Sequence, residues 1–268
     1  YGIHGRHVVK FSANNSCHDE HNPSMEFSSY PKIESWEKSF FRLDDDFNDI
    51  ISSLSNDWLV SLLFKRYSGL RVIRQDPFQC LFSFICASNT NIAMIRRMLS
   101  NLSRKFGSSI IVDGREFFTF PDAKSISKAA ISELGCCGLG YRAKAIKSAA
   151  DSIASGALDL EYLVKKGYHE ARDSLLEVYG VGNKIADCIL LFSLEKLDSF
   201  PIDVWIARPI FERYPSLCTD CSAKLDSKIS PKQYELLAEN ARKYFGKYAG
   251  YAQQYLYYHS RNSAGKKW

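Results

Sequence analysis

Two helix-length segments flank the stretch Val178-Tyr179-Gly180-Val181-Gly182-Asn183-Lys184, and an apolar run then leads to Pro201-Ile202-Asp203. No other feature constrains the fold as strongly. Gly180 and Gly182 bracket one residue, leaving room only for a short turn between two helices. Glycine reaches positive φ at low cost and lets another backbone approach closely. The helix expected from Lys184 to about Glu195 therefore packs back on the one expected over Tyr168 to Val178 as an αα-hairpin. Its first N–H groups have no partner in the helix and suit a phosphate. Lys184 stands at that helix start, where the dipole disfavours a second positive charge. On these residues alone, a solvated lysine on a plain hairpin stays open.

Further helices are expected at Phe78–Ala87, Ile92–Phe106, Ala123–Ala130, Arg142–Ile153, Leu160–Lys165, Val204–Tyr214, Pro231–Tyr244 and Tyr248–Ser260. Asp76-Pro77 starts the first of these with a capping carboxylate and a proline at the first helical position. Ile50, Ile51, Leu54, Leu59, Leu62 and Leu63 recur near the helical period as well. Strands are expected only near the start, over Gly2–Phe11 and Met25–Tyr30. The fold class is thus mainly α, with a small β part over residues 1–40.

The 268 residues can bury a large core, in one domain or two. No run of about 18 apolar residues occurs, so no membrane-spanning helix is expected. A net charge of +5 permits nucleic-acid binding without requiring it. Eight cysteines raise the question of a disulfide framework or a metal. Reduced thiols are the better reading for a chain of this length, in an intracellular setting. Cys80, Cys86 and Cys188 sit in apolar helical runs, as small core residues do. Cys218 and Cys221 form one C-x-x-C pair, half of what a zinc or iron–sulfur site needs. Cys17-His18-Asp19-Glu20-His21 reads as a polar loop rather than a metal site.

Five segments in order resemble the helix-hairpin-helix DNA glycosylases, and within them the 8-oxoguanine DNA glycosylase branch. They are Phe40-Phe-Arg-Leu-Asp44, Asp76-Pro-Phe-Gln-Cys-Leu-Phe-Ser-Phe-Ile-Cys-Ala-Ser-Asn89, Gly138-Leu-Gly-Tyr141-Arg142-Ala143, Gly180-Val-Gly-Asn-Lys184 through Pro201-Ile-Asp203, and Tyr248-Ala-Gly-Tyr-Ala-Gln253. The resemblance implies the helix-hairpin-helix glycosylase fold. It places the glycosylase core at 41–268, with one helical subdomain over 76–195, its hairpin at about 175–190, and a second over 41–75 plus 196–268. Residues 1–40 would be a remnant of the family's N-terminal β-rich domain, shortened at its start, since no Gly-Gln-Ser-Phe-Arg-Trp-like segment is present.

The resemblance also implies the chemistry. Base removal leaves positive charge on the sugar, which a carboxylate stabilises, and an amine can attack C1′ to form a Schiff base. By resemblance Lys184 is the nucleophile, which must be neutral to attack, and Asp203 is the carboxylate; as the start of a helix, Asp203 reads equally as an N-cap. Cys188, Phe192, Pro201, Gln253 and Tyr257 would line the base pocket. Asn89 would fill the vacated stack, Tyr141 would wedge it, and Arg142 would read the orphaned base. Gly180, Gly182 and Trp205 would meet phosphates, with Trp205 replacing a histidine. Carbonyls of Leu176, Val178 and Val181 would hold a monovalent cation. Met94 stands where the eukaryotic branch has a second arginine, which implies weaker discrimination of the opposite base. No cofactor and no iron–sulfur cluster are expected; the expected partner is damaged double-stranded DNA, bound by a monomer that resides with the genome. A related glycosylase for other damaged bases, and a non-catalytic DNA-binding hairpin protein, are the alternatives.

Overall fold

The computed structural model describes residues 1–14, 24–218 and 229–265. Cys17 to His21 and Cys221 lie outside them. In chain order the described elements are β1 (Gly2–His4), β2 (His7–Asn14), β3 (Ser24–Tyr30), α1 (Trp36–Phe40), α2 (Phe47–Leu54), α3 (Trp58–Arg66), α4 (Pro77–Cys86) and α5 (Ile92–Phe106). Next come β4 (Ser109–Val112), β5 (Arg115–Phe118), α6 (Ala123–Lys128), α7 (Ile131–Leu134), α8 (Ala143–Ala154), α9 (Leu160–Lys165) and α10 (Tyr168–Leu176). The series ends with α11 (Asn183–Ser193), α12 (Val204–Arg213), α13 (Pro231–Phe245) and α14 (Ala249–Ser263). The architecture is mainly helical, as the sequence predicts.

The chain folds as two units. One holds Tyr1–Phe40, Gln75–Asp159 and Val178–Gly180; the other holds Phe41–Arg74, Leu160–Glu177 and Val181–Trp268. The sequence reading grouped 76–195; contacts group 160–177 and 181–195 with 41–74 instead.

In the first unit, β1, β2 and β3 form an antiparallel sheet in that order. Its face is closed by aromatic edges: Phe11 and Phe27 meet Trp36 of α1 at ring distances of 5.6 and 6.2 Å. Such pairs add about 0.5–1.5 kcal/mol each beyond burial. The sheet is pinned to α4 at Gly5, whose N–H donates to Gln79 Oε1 at 2.9 Å. Helix α4 starts as expected: Asp76 accepts from the Gln79 N–H at 2.8 Å, with Pro77 at the first position. Its nearly all-apolar sequence is explained by burial, with Cys80, Leu81, Phe82, Ile85 and Cys86 all 1% exposed or less.

The expectation of strands only at the N-terminus needs correction. β4 and β5 form a second, two-stranded sheet. Asp113 and Gly114 turn it, both at positive φ (49° and 71°). Asp-Gly directly after the β-branched run Ile110-Ile111-Val112 is a hairpin signal, because both turn positions need positive φ.

In the second unit, Leu63 of α3, Leu191 of α11, Ile206 and Ile210 of α12, Leu237 and Ala241 of α13, and Tyr251 and Tyr255 of α14 share one buried core. The acidic run 44–46 is divided between two tasks. Asp46 caps α2 through the N–H groups of Asn48 and Asp49, both at 3.1 Å. Asp44 and Asp45 face Arg74, which with the fully buried Arg42 grips Glu195. Burial alone would push the Glu195 carboxyl up, but the two guanidiniums hold it below its ordinary value.

Candidate active site

Lys184 is the second residue of α11, and its side chain is exposed. Gly180 and Gly182 in the turn before it do different jobs. Gly180 has φ of +85°, and a Cβ there would sit 2.5 Å from the Ala145 Cβ, so both its freedom and its missing side chain are required. Gly182 has φ of −101° with open space around it and caps α11; its conformation suits any residue.

Asp203 caps α12, accepting from the N–H groups of Trp205 (2.9 Å) and Ile206 (3.0 Å). Burial pushes its carboxyl above the ordinary value; the charge of Lys184 acts against that, followed by the two capping N–H groups and Arg261. The amine and the carboxylate, 19 positions apart in sequence, thus share one electrostatic environment. Cys188, one turn beyond Lys184, lies in the same field. Burial pushes its thiol up to about 12 despite Lys184, so it is a neutral thiol and no nucleophile.

Gln253 and Pro201 are both buried and joined: Gln253 Nε2 donates to the Pro201 carbonyl at 2.8 Å, and Oε1 accepts from Gln254 at 2.6 Å. Phe192 and Tyr257 are half-buried against the unit's core. Tyr257 accepts from Arg261 at 3.1 Å, and Arg261 also lies 5.8 Å from the Trp205 ring. Trp205, Arg208, Arg213 and His259 line a cavity of about 550 Å³ beside α12.

In the other unit a second group converges. Asn89 follows α4 at a φ of +48°, exposed, as an asparagine tolerates. Tyr141 Oη (3.2 Å) and Arg142 Nε (3.1 Å) both donate to the Ser88 carbonyl, and Arg142 Nη2 donates to the Ser88 and Asn89 carbonyls. Arg142 also stacks 4.5 Å from the Tyr141 ring centre, which is 64% exposed. The Ser88 carbonyl, unnoticed in sequence, is what gathers the Tyr141 and Arg142 side chains beside Asn89. Met94 is exposed on the first turn of α5, its N–H donating to Asn91 Oδ1 at 3.0 Å. The side chains of Val178 and Val181 are buried, and Leu176 closes α10 half-buried.

Sequence reasoning also missed Asp187. It is fully buried on α11 and accepts from Tyr168 Oη (2.6 Å) and Tyr234 Oη (2.7 Å), with Arg172 Nε at 3.4 Å. A lone carboxylate within Ile185-Ala186-Asp187-Cys188-Ile189 was the available signal, since a buried charge demands partners.

Comparison with known proteins identifies the family. Residues 1–81 match the family described as 8-oxoguanine DNA glycosylase, N-terminal domain, and residues 82–229 match HhH-GPD superfamily base excision DNA repair protein. The first match runs past residue 40, so the N-terminal family domain takes in α1 to α3 as well as the sheet. An N-glycosylase/DNA lyase of Saccharomyces cerevisiae is 32% identical over 270 residues, covering 89% of this chain and 71% of the relative. One from Arabidopsis thaliana is 36% identical over 202 residues, covering 73% of this chain and 53% of the relative, about half of its length. The crystal structure of Clostridium acetobutylicum 8-oxoguanine glycosylase/lyase, in complex with double-stranded DNA containing cytosine opposite 8-oxoguanine, superposes with a TM-score of 0.83. It is 29% identical and covers 98% of this chain and 84% of that one. With its family matches in order along the sequence, and with relatives of this identity and coverage, the chain belongs to the HhH-GPD superfamily of base excision DNA repair proteins, in the 8-oxoguanine DNA glycosylase branch.

Proposed function

We propose that this protein removes 8-oxoguanine from duplex DNA through a Schiff base on Lys184 and then nicks the strand by β-elimination. The single observation that carries this reading is that the buried, N-capping carboxyl of Asp203 lies within the field of the Lys184 charge. In it, the neutral Lys184 amine attacks C1′, the C1′–N9 bond breaks, and the base leaves with the bonding electrons. Asp203 stabilises the positive charge that develops on the sugar. The attached nitrogen then loses a proton, the C1′–O4′ bond breaks with O4′ leaving as a hydroxyl, and the protonated imine so formed makes the C2′ proton acidic; loss of that proton expels the 3′ phosphate.

The target base leaves the stack at a cost of a few kcal/mol. Asn89, together with Tyr141 and Arg142 held on the Ser88 carbonyl, offsets that cost by occupying the gap and meeting the orphaned base. Gln253, Cys188, Phe192, Pro201 and Tyr257 receive the lesion, with the Tyr257 ring worth about 1–3 kcal/mol of stacking. Gly180, Gly182 and Trp205 offer N–H groups to phosphates, and the carbonyls of Leu176, Val178 and Val181 hold a monovalent cation there. The protein acts as a monomer with the genome, and the exposed Met94 leaves the opposite base weakly checked.

Borohydride reduction during reaction with an 8-oxoguanine duplex tests the assignment. Wild-type protein is expected to form a covalent adduct and Lys184→Gln none; an adduct of undiminished yield in the variant refutes the role of Lys184.

A further inference from the structure

The peptide unit between Pro201 and Ile202 is held at both ends. Its carbonyl accepts from Gln253 Nε2 at 2.8 Å, and its N–H donates to Tyr234 Oη at 3.2 Å. Tyr234 Oη in turn donates to Asp187 Oδ2 at 2.7 Å. A phenol hydroxyl that donates to a carboxylate is a better acceptor for a second N–H, because such chains polarise one another. Asp187 is itself fixed by Tyr168 Oη, by Arg172, and by Ser199 Oγ, which donates to its backbone carbonyl at 2.9 Å. Every one of these groups lies in the second unit.

This chain of bonds has two ends of interest. Asp187 sits three residues after Lys184 on α11, whereas Ile202 directly precedes Asp203. Between them α11 ends and the backbone turns through residues 194–200, where the Lys196 N–H holds the Leu190 carbonyl at 3.1 Å and the Gly250 N–H holds the Leu197 carbonyl at 2.8 Å, but neither bond reaches the peptide before Asp203. We infer that Asp187 and Tyr234 are positioning residues that set the separation of the Lys184 amine and the Asp203 carboxylate, by bracing the peptide before Asp203 against the helix that carries Lys184. A buried carboxylate is a costly way to stabilise a fold, since well-packed apolar residues often do as well. Its directionality is what apolar packing lacks. The inference rests on the Schiff-base reading of the site.

The test compares Tyr234→Phe with Tyr168→Phe. Each removes one hydroxyl from Asp187, but only the first removes the partner of the Ile202 N–H. Single-turnover base release, duplex affinity and melting temperature are measured for both, with amide exchange at Ile202. Small displacements at a reacting centre cost one to two orders of magnitude, so Tyr234→Phe is expected to slow base release about tenfold or more. Its affinity for the duplex should stay within twofold of wild type, and Ile202 should exchange faster. Tyr168→Phe is expected to keep base release within twofold even where its melting temperature falls equally. Where Tyr234→Phe gives no folded protein, Asp187→Asn removes the charge that anchors the Tyr234 hydroxyl; it is expected to slow base release and speed exchange at Ile202, and an unchanged rate overturns the inference. Equal slowing in both phenylalanine variants marks a structural role only and overturns the inference, as does an unchanged rate in Tyr234→Phe. The Lys184→Gln trapping experiment separates this failure from failure of the Schiff-base reading, because it does not depend on Tyr234.

Discussion

Replacing Asp203 by asparagine separates the helix cap that the structure shows from the catalytic role proposed for the same side chain. As an N-cap, Asp203 accepts two N–H bonds at 2.9 and 3.0 Å, both through Oδ1. Asparagine carries an equivalent oxygen and ranks with aspartate as a cap, so the cap itself changes by only a few tenths of a kcal/mol. Losing the negative charge at a helix N-terminus costs about 0.3–1 kcal/mol. Against this, burial pushes the Asp203 carboxyl above its ordinary value, so its ionised form is disfavoured by the fold. The sign follows: a carboxyl whose folded pKa is raised favours the folded state below its unfolded value, near 3.9, and loses that contribution as pH rises through the folded value. At pH 7 the substitution therefore relieves a penalty, and net stability should stay within about 1 kcal/mol of wild type. The reaction is a different matter. Removing one preorganised electrostatic group at a developing charge costs about 10²–10³ in rate, or about 2.7–4 kcal/mol. Urea unfolding at pH 7 and single-turnover release of 8-oxoguanine give the two numbers. A rate within threefold of wild type would show that Asp203 is a cap and nothing more, and a stability loss above about 2 kcal/mol would refute the equivalence of the two caps.

Three further outcomes are expected. Gly180→Ala should lose about 2–3 kcal/mol in urea unfolding, from a left-handed backbone and the contact with Ala145, whereas Gly182→Ala should lose under about 1 kcal/mol. Glu195→Gln leaves Arg42 and Arg74 short of a counter-charge, so thermal unfolding at pH 7 should show a loss of about 3 kcal/mol. Because the folded pKa of Glu195 is lowered, its benefit is present above the unfolded value near 4.3 and lost as pH falls further; the two proteins should converge in stability toward pH 3. Excision opposite adenine should approach that opposite cytosine, since methionine at position 94 donates no hydrogen bond; only traces of product opposite adenine would contradict this.

Much of this protein could be read from residue order alone. Asp76-Pro77 marked the cap and the first position of α4, one residue before the expected span Phe78–Ala87, because capping and the fixed φ of proline are local effects. The apolar period gave α5 its observed limits, Ile92–Phe106. The glycine turn located the hairpin, and Lys184 at the head of its second helix followed from that. The hairpin of β4 and β5 was also legible in Asp113-Gly114, and was lost to a helical expectation for the core.

What order alone could not supply is distance between segments far apart in the chain. Whether Asp203 lies in the field of Lys184 depends on how residues 194–200 turn, and that turn is settled by packing and by the buried bonds around Asp187. The Ser88 carbonyl shows the same principle: any residue offers a carbonyl, so no side-chain pattern marks the one on which Tyr141 and Arg142 converge. Local chemistry writes helices, caps and turns into the sequence. Long-range hydrogen bonds and burial decide which of their ends meet, and the reaction proposed here depends on that meeting.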